Sequence, residues 1–510
     1  MAASRLDLPK LYRSDAVRAA ERAAMARFGL DEDDLMARAG LAAWRLLLDR
    51  WPQAQRIGVL CGPGNNGGDG YVLAALARAS GRHVFVLRLD DAVKTGAAQR
   101  AADAFAQSGG EIAIFRSDGA LPAVDVWVDA LFGIGLHRGL DGAARDLVAA
   151  LRHGDATPVL ALDVPSGVDA DTGDDHGDGH GISIRATVTL TFIAGKPGLF
   201  TGRGRVAAGE VVIDTLGLAD HIFDDLEAAA VRLQPDALAR WWPRRARDAH
   251  KGQFGRVLCI GGDHGFGGAL ALCADAAHRT GAGLVSAATR AEHIAPLLAR
   301  RPETMVRAVD DAASLAPLLA QASVVAVGPG LGTAAWGRAM LDAALVAQRP
   351  CVIDADALNL LAMRKADTAF VMPQGSVLTP HPGEGARLLG DTVEAVERDR
   401  MGSARRLAER TGCVVVWKGA GTVVAAPGEI PAIVDAGNPG MAGGGMGDVL
   451  TGVIAAAMAQ GLPAFDAAQS GALLHAVAGD AAARDGGERG LLASDLAPYL
   501  RRWANPEPAA

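Results

Sequence analysis

The chain has 510 residues, of which 50% are hydrophobic and 21% are charged, and its formal net charge is −8. This length is too great for one ordinary hydrophobic core, and the composition excludes a disordered chain. The negative charge argues against a nucleic-acid-binding protein, because no excess of Lys and Arg is present to neutralise a phosphate backbone.

The predicted elements begin with helices over 11–50, where apolar residues recur every three to seven positions. From residue 56 onward, short apolar runs alternate with helix-length stretches, which is typical of parallel βαβ units. The strands predicted in the first half are 56–61, 83–89, 124–130, 158–163 and 186–193. Those predicted in the second half are 256–260, 284–288, 323–327, 351–354, 376–379 and 413–417.

A segment of mixed charge at 216–250 interrupts this alternation and predicts a domain boundary near 225–245. We therefore expect an N-terminal domain over 1–225, a linker over 226–245 and a C-terminal domain over 246–505. The segment contains a basic run of Arg244, Arg245 and Arg247. We interpret this run as a solvated linker in preference to a ligand site.

A glycine-rich loop at 62–70 follows the first strand and precedes a helix. Gly62, Gly64 and Gly67 match the dinucleotide-binding pattern G-x-G-x-x-G, and Asp90 stands about where a ribose-binding acid belongs. Glycine permits a positive φ and close backbone approach, and a helix N-terminus favours an anion. A nicotinamide-dependent dehydrogenase is one interpretation of this loop, and a tight turn without a ligand is another.

Polar residues also follow two later strands of this half, namely Asp129, and Asp163 with Ser166. The carboxyl ends of parallel strands lie side by side above one crevice. Asn66, Asp129 and Ser166 would offer oxygen ligands there, which suit a hard cation better than zinc. Each of these residues alone is more often a helix cap or a turn former.

The most informative segment of the second half is 437–452, where several glycines precede an apolar helix. Backbone N–H groups at such a helix start can hold phosphoryl oxygens. Asp448 would accept a proton from a substrate hydroxyl during phosphoryl transfer, or it would simply cap the helix. The turn 418–422 follows a strand and is a second place for phosphates, although no P-loop pattern occurs.

Further motifs are predicted at the same sheet edge. Gly328 to Gly332 forms one loop, and His381 lies between two prolines in another, where a functional and a structural role are both open. Asp354 to Asn359 follows a strand and is interpreted as holding magnesium or positioning a substrate.

Residues 11–200 resemble the NAD(P)H-hydrate epimerase domain, through NNGGDG, DALFGIGLHRG and LDVPSGVDADTG. The resemblance implies that Asn66, Asp129 and Ser166 bind a potassium ion and that Asp163 lies against the substrate. Lys196 is a candidate acid/base partner of Asp163, with simple surface charge as the alternative. The residues that the resemblance implies for binding the hydrated dinucleotide are Asn65, Asn66, Gly67, Gly68, Asp69, Gly133, Ile134, Gly135, Leu136, His137, Arg138, Gly139 and Asp163.

Residues 248–500 resemble the ADP/ATP-dependent NAD(P)H-hydrate dehydratase, which has a ribokinase-like fold. The motifs are KGQFGRVLCIGG, GFGGA, GPGLG, DADALN, LTPHPGE, KGAGT and NPGMAGGGMGDVLTG. The family usually has Thr or Ser at the position of Gly443, and we expect glycine there to loosen the loop. The resemblance implies hydrate contacts for Ala269, Gly330, His381 and Asp448, and nucleotide contacts for Lys418, Gly419, Ala420, Gly421, Thr422 and Gly447.

Together these observations predict an α/β protein of two domains, a Rossmann-like parallel α/β sandwich followed by a ribokinase-like α/β domain. The resemblances imply a bifunctional repair enzyme, an isomerase fused to a lyase. The first domain would interconvert the R and S forms of hydrated NADH and NADPH with K⁺. The second would dehydrate the S form with ADP or ATP and Mg²⁺. A small-molecule kinase, a nicotinamide-dependent dehydrogenase and a non-catalytic first half are the rival interpretations.

The expected partners are small molecules, with no nucleic acid and no membrane, and we expect a homo-oligomer. Five scattered cysteines without a CxxC pair fit a reducing compartment. The sequence shows neither the apolar core of a signal peptide nor a run long enough to span a membrane. A cytoplasmic location is therefore predicted.

Overall fold

The computed structural model describes residues 8–89, 96–153, 157–176, 181–364 and 372–505. These residues form two compact units, which divide between Ala230 and Val231. The division falls within the segment that we predicted to be a linker. Leu8 and Pro9 belong to the C-terminal unit, as does everything from Val231 onward. Asp90, the residue proposed above for ribose binding, lies outside the described residues.

The N-terminal unit contains a parallel sheet with the strand order β4-β3-β2-β5-β6-β7-β8. A two-residue strand, β1, precedes its first helix. The strands are β1 (Lys10–Leu11), β2 (Arg56–Cys61), β3 (His83–Arg88), β4 (Ile112–Ile114), β5 (Val126–Ala130), β6 (Val159–Leu162), β7 (Val188–Phe192) and β8 (Glu210–Asp214). The helices are α1 (Ser14–Phe28), α2 (Glu32–Arg50), α3 (Asn65–Ala79), α4 (Gly96–Gln107), α5 (Gly142–His153) and α6 (Gly202–Ala208).

The C-terminal unit contains a larger sheet, in the order β9-β18-β17-β16-β15-β14-β13-β10-β11-β12. Its pairings are parallel except where β17 runs antiparallel to β16 and β18. The strands are β9 (Ala230–Leu233), β10 (Arg256–Ile260), β11 (Leu284–Thr289), β12 (Met305–Ala308), β13 (Val324–Val327), β14 (Cys351–Ile353), β15 (Val377–Leu378), β16 (Val414–Trp417), β17 (Val423–Ala425) and β18 (Ala432–Val434).

The helices of this unit pack on that sheet, and α15 is buried along most of its length against α7 and α16. They are α7 (Gly267–Arg279), α8 (Ile294–Arg300), α9 (Ala312–Gln321), α10 (Ala335–Val346), α11 (Ala355–Ala362), α12 (Pro382–Leu389), α13 (Val393–Arg398), α14 (Arg400–Thr411), α15 (Met446–Ala459), α16 (Ala464–Gly486) and α17 (Leu496–Trp503). No helix among the described residues is both long enough and apolar enough to cross a membrane.

The α/β fold with parallel sheets is confirmed, and every predicted strand overlaps a strand of the structure. The central strands β5, β6 and β7 are buried at every residue, which explains their continuous apolar sequences. The strands that we did not predict are short or lie at sheet edges. For example, β4 and β8 end the N-terminal sheet and are largely exposed or half-buried.

In both units, the loops that follow the parallel strands carry the predicted site residues. In the N-terminal unit, Asp129 lies at the end of β5 and Asp163 directly after β6. In the C-terminal unit, Asp354 follows β14 and Lys418 follows β16, while β15 lies between these two strands. Each sheet therefore presents its polar residues at its carboxyl edge.

Candidate active sites

The glycine-rich loop of the N-terminal unit is a strand-to-helix turn that leaves no room for a side chain at Gly62 or Gly67. A Cβ on Gly62 would lie 1.6 Å from the Leu131 carbonyl oxygen, and one on Gly67 would lie 2.1 Å from the Gly62 carbonyl oxygen. Neither glycine has a positive φ, so close packing is the reason for glycine here. The helix α3 starts at Asn65 with no side-chain cap, so its first N–H groups are available to an anion.

Asp129 is completely buried at the end of β5 and is held by Ser166. The Ser166 hydroxyl donates to Oδ1 at 2.6 Å, and the Ser166 N–H donates to Oδ2 at 2.8 Å. Burial raises the pKa of Asp129 to about 6, although these hydrogen bonds favour the charged form. Among the described residues, no Lys, Arg or His forms an ion pair with this carboxylate.

Asn66 completes the set of oxygen atoms proposed to bind a cation. Its Nδ2 donates to the Leu162 carbonyl at 3.1 Å, which holds the side chain at the end of β6, beside β5. Its Oδ1 is buried and has no hydrogen-bond partner within the described part of the chain. An unpartnered buried oxygen, together with a buried carboxylate that lacks a basic partner, fits a hard cation such as K⁺.

Asp163 and Lys196 form a buried ion pair at the centre of this site. The Lys196 Nζ donates to Asp163 Oδ1 at 2.7 Å, to Thr191 Oγ1 at 2.8 Å and to the Phe192 carbonyl at 2.8 Å. All three of its donors are therefore used. Lys196 is fully buried, so the interpretation of this residue as surface charge is wrong. Asp163 has a φ of +64°, a strained conformation that clusters at functional sites.

The loop 133–139 reaches this pair through its first residues only. The Ile134 N–H donates to Asp163 Oδ2 at 3.0 Å, and a Cβ on Gly133 would lie 2.5 Å from the same oxygen. The side chain of Arg138 is instead exposed and pairs with Asp141 at 2.5 Å. Leu136 is buried, whereas Gly135 and His137 are exposed.

Sequence reasoning missed Glu21 on α1. Burial, and then the charge of Asp163, raise the pKa of Glu21, while Lys196 opposes the shift. Burial likewise raises the pKa of Asp69 well above its usual range, with Asp163 and Glu21 adding to the effect. The three carboxyl groups therefore influence one another, and among them Asp163 contacts Lys196. The available signal was that Glu21 interrupts the buried stripe of α1 that includes Val17.

In the C-terminal unit, Asp448 lies in the first turn of α15. The N-cap of this helix is Gly445, which has a φ of +88° and provides no side-chain cap. The interpretation of Asp448 as a mere cap is therefore wrong. Burial, and then the charge of Asp354, raise the pKa of Asp448 to about 7, while Lys418 opposes the shift. A carboxyl group with this pKa, at a helix start with free N–H groups, can serve as a general base near neutral pH.

Lys418 and Asp354 form a second lysine–aspartate pair beside α15. The Lys418 Nζ donates to Asp354 Oδ1 at 2.6 Å, and the Thr451 hydroxyl donates to Oδ2 at 2.9 Å. Burial alone would raise the pKa of Asp354, but the charge of Lys418 and these hydrogen bonds outweigh it and lower the pKa. A Cβ on Gly447 would lie 3.2 Å from the Lys418 Nζ and 3.3 Å from Asp354 Oδ2, so this glycine lies directly against the pair.

His381 has a structural role and an exposed face. Its Nδ1 accepts the N–H of Gly383 at 3.0 Å and caps α12, while Glu384 Oε2 accepts the His381 N–H at 2.8 Å. Burial and the nearby Lys418 lower the pKa of His381. Burial raises the pKa of Glu384 to about 7, and its Oε2 lies 3.8 Å from the Lys418 Nζ. His381 and Glu384 therefore belong to the same cluster as Lys418.

A buried arginine holds the backbone of the predicted nucleotide-binding turn. Arg400 is 1% exposed and donates from Nη2 to the Lys418 carbonyl at 3.0 Å. Gly419 and Gly421 have φ values of +138° and +65°, which side chains disfavour. The turn therefore presents backbone at its exposed residues Gly419 and Ala420, and Thr422 Oγ1 donates to the Gly419 carbonyl at 3.2 Å.

The two remaining residues that are predicted to contact the hydrate lie together. Gly330 has a φ of +59°, and a Cβ there would lie 3.3 Å from the Ala269 Cβ. Asp356 Oδ2 accepts the Gly332 N–H at 2.9 Å, which fixes this loop to the residues after β14. Asp354 and Asp356 are thus both held by protein donors, which favours a positioning role for them over dedicated magnesium ligation.

Comparison with known proteins finds similarity to both units. A family profile described as NAD(P)H-hydrate dehydratase matches residues 257–502, and one described as the YjeF-related protein N-terminus matches residues 32–198. The chain is 45% identical to a bifunctional NAD(P)H-hydrate repair enzyme of Coxiella burnetii, over 97% of this chain and 99% of that protein. It is 44% identical to the one of Escherichia coli, over 98% of this chain and 94% of that protein.

A solved structure supports the fold of the C-terminal unit. A ribokinase-like superfamily protein of Enterococcus faecalis superposes with a TM-score of 0.50 and 32% sequence identity. The match covers 54% of this chain and 96% of that protein. The predicted ribokinase-like fold of the C-terminal unit is therefore confirmed.

Proposed function

Since this chain belongs to the family of bifunctional NAD(P)H-hydrate repair enzymes, we propose that it restores hydrated NADH and NADPH through two linked activities. The N-terminal unit interconverts the R and S epimers of the hydrate. The C-terminal unit dehydrates the S epimer with consumption of ADP or ATP. One activity makes both epimers accessible to the other, which accounts for their presence in one chain.

Epimerisation requires that a carbon bonded to a hydroxyl and to the ring nitrogen lose its configuration. The hydroxyl receives a proton through Asp163, which Lys196 supplies across their hydrogen bond, and it leaves as water. The ring nitrogen then carries the positive charge of an iminium. The carboxylate of Asp163 stabilises this cation, while the raised pKa values of Asp69 and Glu21 favour their uncharged forms beside it. Water adds to the other face, and the proton that it loses returns to the Lys196–Asp163 pair.

Binding of the dinucleotide in this unit combines backbone N–H groups with a cation. The uncapped start of α3, from Asn65 to Asp69, receives phosphoryl oxygens. Asn66, Asp129 and Ser166 would hold K⁺ through their oxygen atoms, and the chemistry supplied there would be a fixed positive charge beside the substrate. The support for this role is the buried Asn66 Oδ1 without a partner and the buried Asp129 without a basic partner.

Dehydration begins when the Asp448 carboxylate accepts the proton of the hydrate's hydroxyl. That oxygen then attacks the terminal phosphorus of ADP or ATP, and AMP or ADP leaves. The carbon–oxygen bond breaks next, inorganic phosphate departs, and loss of a ring proton restores the double bond. Lys418 with residues 419–422 and Gly447 hold the nucleotide phosphates, while His381, Ala269 and Gly330 contact the hydrate. The phosphates of the nucleotide would hold Mg²⁺, which would neutralise part of their charge.

The observation that carries the proposal is the position of Asp448 at the uncapped start of α15, next to the Lys418–Asp354 pair. A test adds the full chain and ADP to a mixture of both hydrate epimers and follows the absorbance of the reduced ring. We expect complete conversion and release of free phosphate. Conversion of only half the mixture contradicts the epimerase activity, and accumulation of a stable phosphate ester identifies a kinase instead. A homo-oligomeric state and a cytoplasmic location stay predictions.

A further inference from the structure

The C-terminal unit contains a cavity of about 670 Å³ at the opposite edge of its sheet from Asp448. Its lining includes Phe254, Gly281 and Glu303, which directly precede or lie near the starts of β10, β11 and β12. These strands are parallel, so the cavity lies at their amino edge. Gln460, which follows the last residue of α15, completes this side of the wall. None of the residues proposed for catalysis or nucleotide binding lines the cavity.

The cavity is strongly basic. Its lining contains the five arginines Arg244, Arg245, Arg279, Arg301 and Arg501, against the single carboxylate of Glu303. Two of these arginines come from the basic run that we interpreted as a solvated linker. A concave surface that concentrates one sign of charge attracts a ligand of the opposite sign.

Some of these arginines are held by other protein groups, and the others are not. Arg245 belongs to the wall, because its Nη2 donates to the Gly281 carbonyl at 2.5 Å and its guanidinium lies 3.6 Å from the centre of the Phe254 ring. Arg301 pairs with Asp275 at 2.5 Å. Within the described ranges, Arg244, Arg279 and Arg501 have no carboxylate at ion-pair distance. These three guanidinium groups are therefore available to an anion.

The wall also contains buried donors that lack acceptors. Trp242 is 7% exposed and Thr280 is 2% exposed, and neither the Trp242 Nε1 nor the Thr280 Oγ1 has a hydrogen-bond partner among the described residues. The same holds for the Nε atoms of Arg279 and Arg301. Native proteins satisfy nearly all such groups, so four unpartnered groups in one wall indicate that a ligand rich in acceptors belongs here.

We propose that this cavity is a second binding site, separate from the active site, for a nucleoside polyphosphate. The free guanidinium groups bind the phosphates, since the planar fork of arginine matches phosphate oxygens. Trp242 and Leu462 contribute apolar surface to the wall on the side of the base, while Arg245 covers the ring of Phe254. The volume lies within the range of small-molecule sites. The site goes beyond the proposed function, because none of its residues acts in either reaction.

The test is calorimetric titration of the full chain with ADP, using two matched pairs of arginines. Arg244 and Arg501 line the cavity, whereas Arg247 and Arg502 lie outside its lining in the same two segments. All four are exposed, so charge reversal at any of them leaves the core intact. We expect the wild type and the control R247E/R502E to bind ADP at two sites. In R244E/R501E, one of these sites should weaken by about tenfold or more, because it loses charge-assisted contacts.

Identical titrations of R244E/R501E and R247E/R502E would overturn the proposal, as would a wild type that binds one ADP and loses it in K418M. Competition against labelled ADP tests the nucleoside. If tripolyphosphate displaces labelled ADP from the cavity as well as unlabelled ADP does, the assignment of a nucleoside is overturned. Dehydration at saturating ADP should be equal in both double variants. Absence of dehydration in the wild type would contradict the proposed function, while the ADP titration would still decide the cavity.

Discussion

Both units contain a lysine–aspartate pair at the carboxyl edge of their sheet, but the two pairs differ in what they leave free. In the N-terminal unit, Lys196 pairs with Asp163, the carboxylate proposed for catalysis, at 2.7 Å. In the C-terminal unit, Lys418 pairs with Asp354 at 2.6 Å, and within the described part of the chain Asp448 forms no ion pair. In the first pair, the lysine therefore contacts the carboxylate that is proposed for catalysis. In the second pair, the lysine contacts Asp354 and not Asp448, the proposed base.

This difference follows from the two reactions. Epimerisation returns the proton that it borrows, so an acid and a base held together can exchange it. Dehydration ends with the hydroxyl oxygen on phosphate. A base whose pKa is close to neutral pH, and which forms no ion pair, is better suited to that reaction. A lysine–aspartate pair can therefore take part in a reaction itself, or it can position and tune a neighbouring carboxylate. Which of the two applies depends on the carboxylate that the lysine contacts.

The largest effect is expected from removing the proposed base of the C-terminal unit. We expect Asp448→Asn to lower the rate of dehydration about 10²–10⁴-fold, the range for loss of a positioned general base. Exchange between the epimers, measured by chromatography of the two hydrates, should be unchanged. A variant that dehydrates at the wild-type rate would eliminate the role of Asp448.

The two lysines offer a matched test of stability. Lys196→Met leaves a buried carboxylate without its partner and should lower the free energy of unfolding of the N-terminal unit by about 3–5 kcal/mol. Lys418→Met should cost less, because the Lys418 side chain is 20% exposed and that of Lys196 only 1%. Urea unfolding followed by circular dichroism measures both.

A second substitution separates charge from chemistry in the N-terminal unit. K196M/D163N removes both charges and should recover most of the lost stability, but not epimer exchange. Recovery of exchange in this double variant would mean that the pair is structural.

The raised pKa of Asp448 predicts how both the rate of dehydration and the stability depend on pH. Because the pKa of Asp448 is raised to about 7, dehydration should increase by up to tenfold per pH unit below neutrality and level off above it. The stability effect has the opposite direction. A pKa raised in the folded state gives a contribution that is complete below the unfolded value of 3.8 and is lost as pH rises through about 7. Asp448→Asn should therefore melt at a higher temperature than the wild type at pH 8, which scanning calorimetry can check.

The two glycine-rich loops give the smallest expected effect and its control. Gly443, where the family usually has Thr or Ser, has open space around it, with the nearest contact of a Cβ at 3.8 Å from the Leu491 carbonyl. Gly443→Ser should change the free energy of unfolding by less than about 0.5 kcal/mol. Gly62→Ala places a Cβ 1.6 Å from a carbonyl oxygen and should cost about 1–3 kcal/mol or more. Equal melting temperatures would show that the N-terminal loop is not closely packed.

The strands that carry the sites could be predicted from sequence, because a strand buried on both faces must be apolar throughout. The same reasoning fails for edge strands such as β4 and β8, whose exposed residues weaken the pattern. It also fails for β17 and β18, which are three residues long and antiparallel within an otherwise parallel region.

The site residues were easier to identify than their pairings. Lys418 and Asp354 were both singled out from their motifs, but as separate contacts to nucleotide and to metal or substrate. Their ion pair joins residues that are 64 positions apart and that follow β14 and β16, with β15 between these strands. The sequence does not show that two such distant residues are in contact. Glu21 was missed for a related reason. A single acid on an amphipathic helix has no local motif, and only the fold brings it near Asp163.

The crowding of ionisable groups around Lys418 has a thermodynamic consequence. Asp448 and Glu384 both have a pKa of about 7, so near neutrality each is only partly ionised. An incoming anionic nucleotide makes a negative neighbour less favourable, and these carboxyl groups will take up protons from the buffer as it binds. We therefore expect the heat of ADP binding at the proposed nucleotide site to depend on the ionisation enthalpy of the buffer. Comparing Tris with phosphate at neutral pH would count the protons.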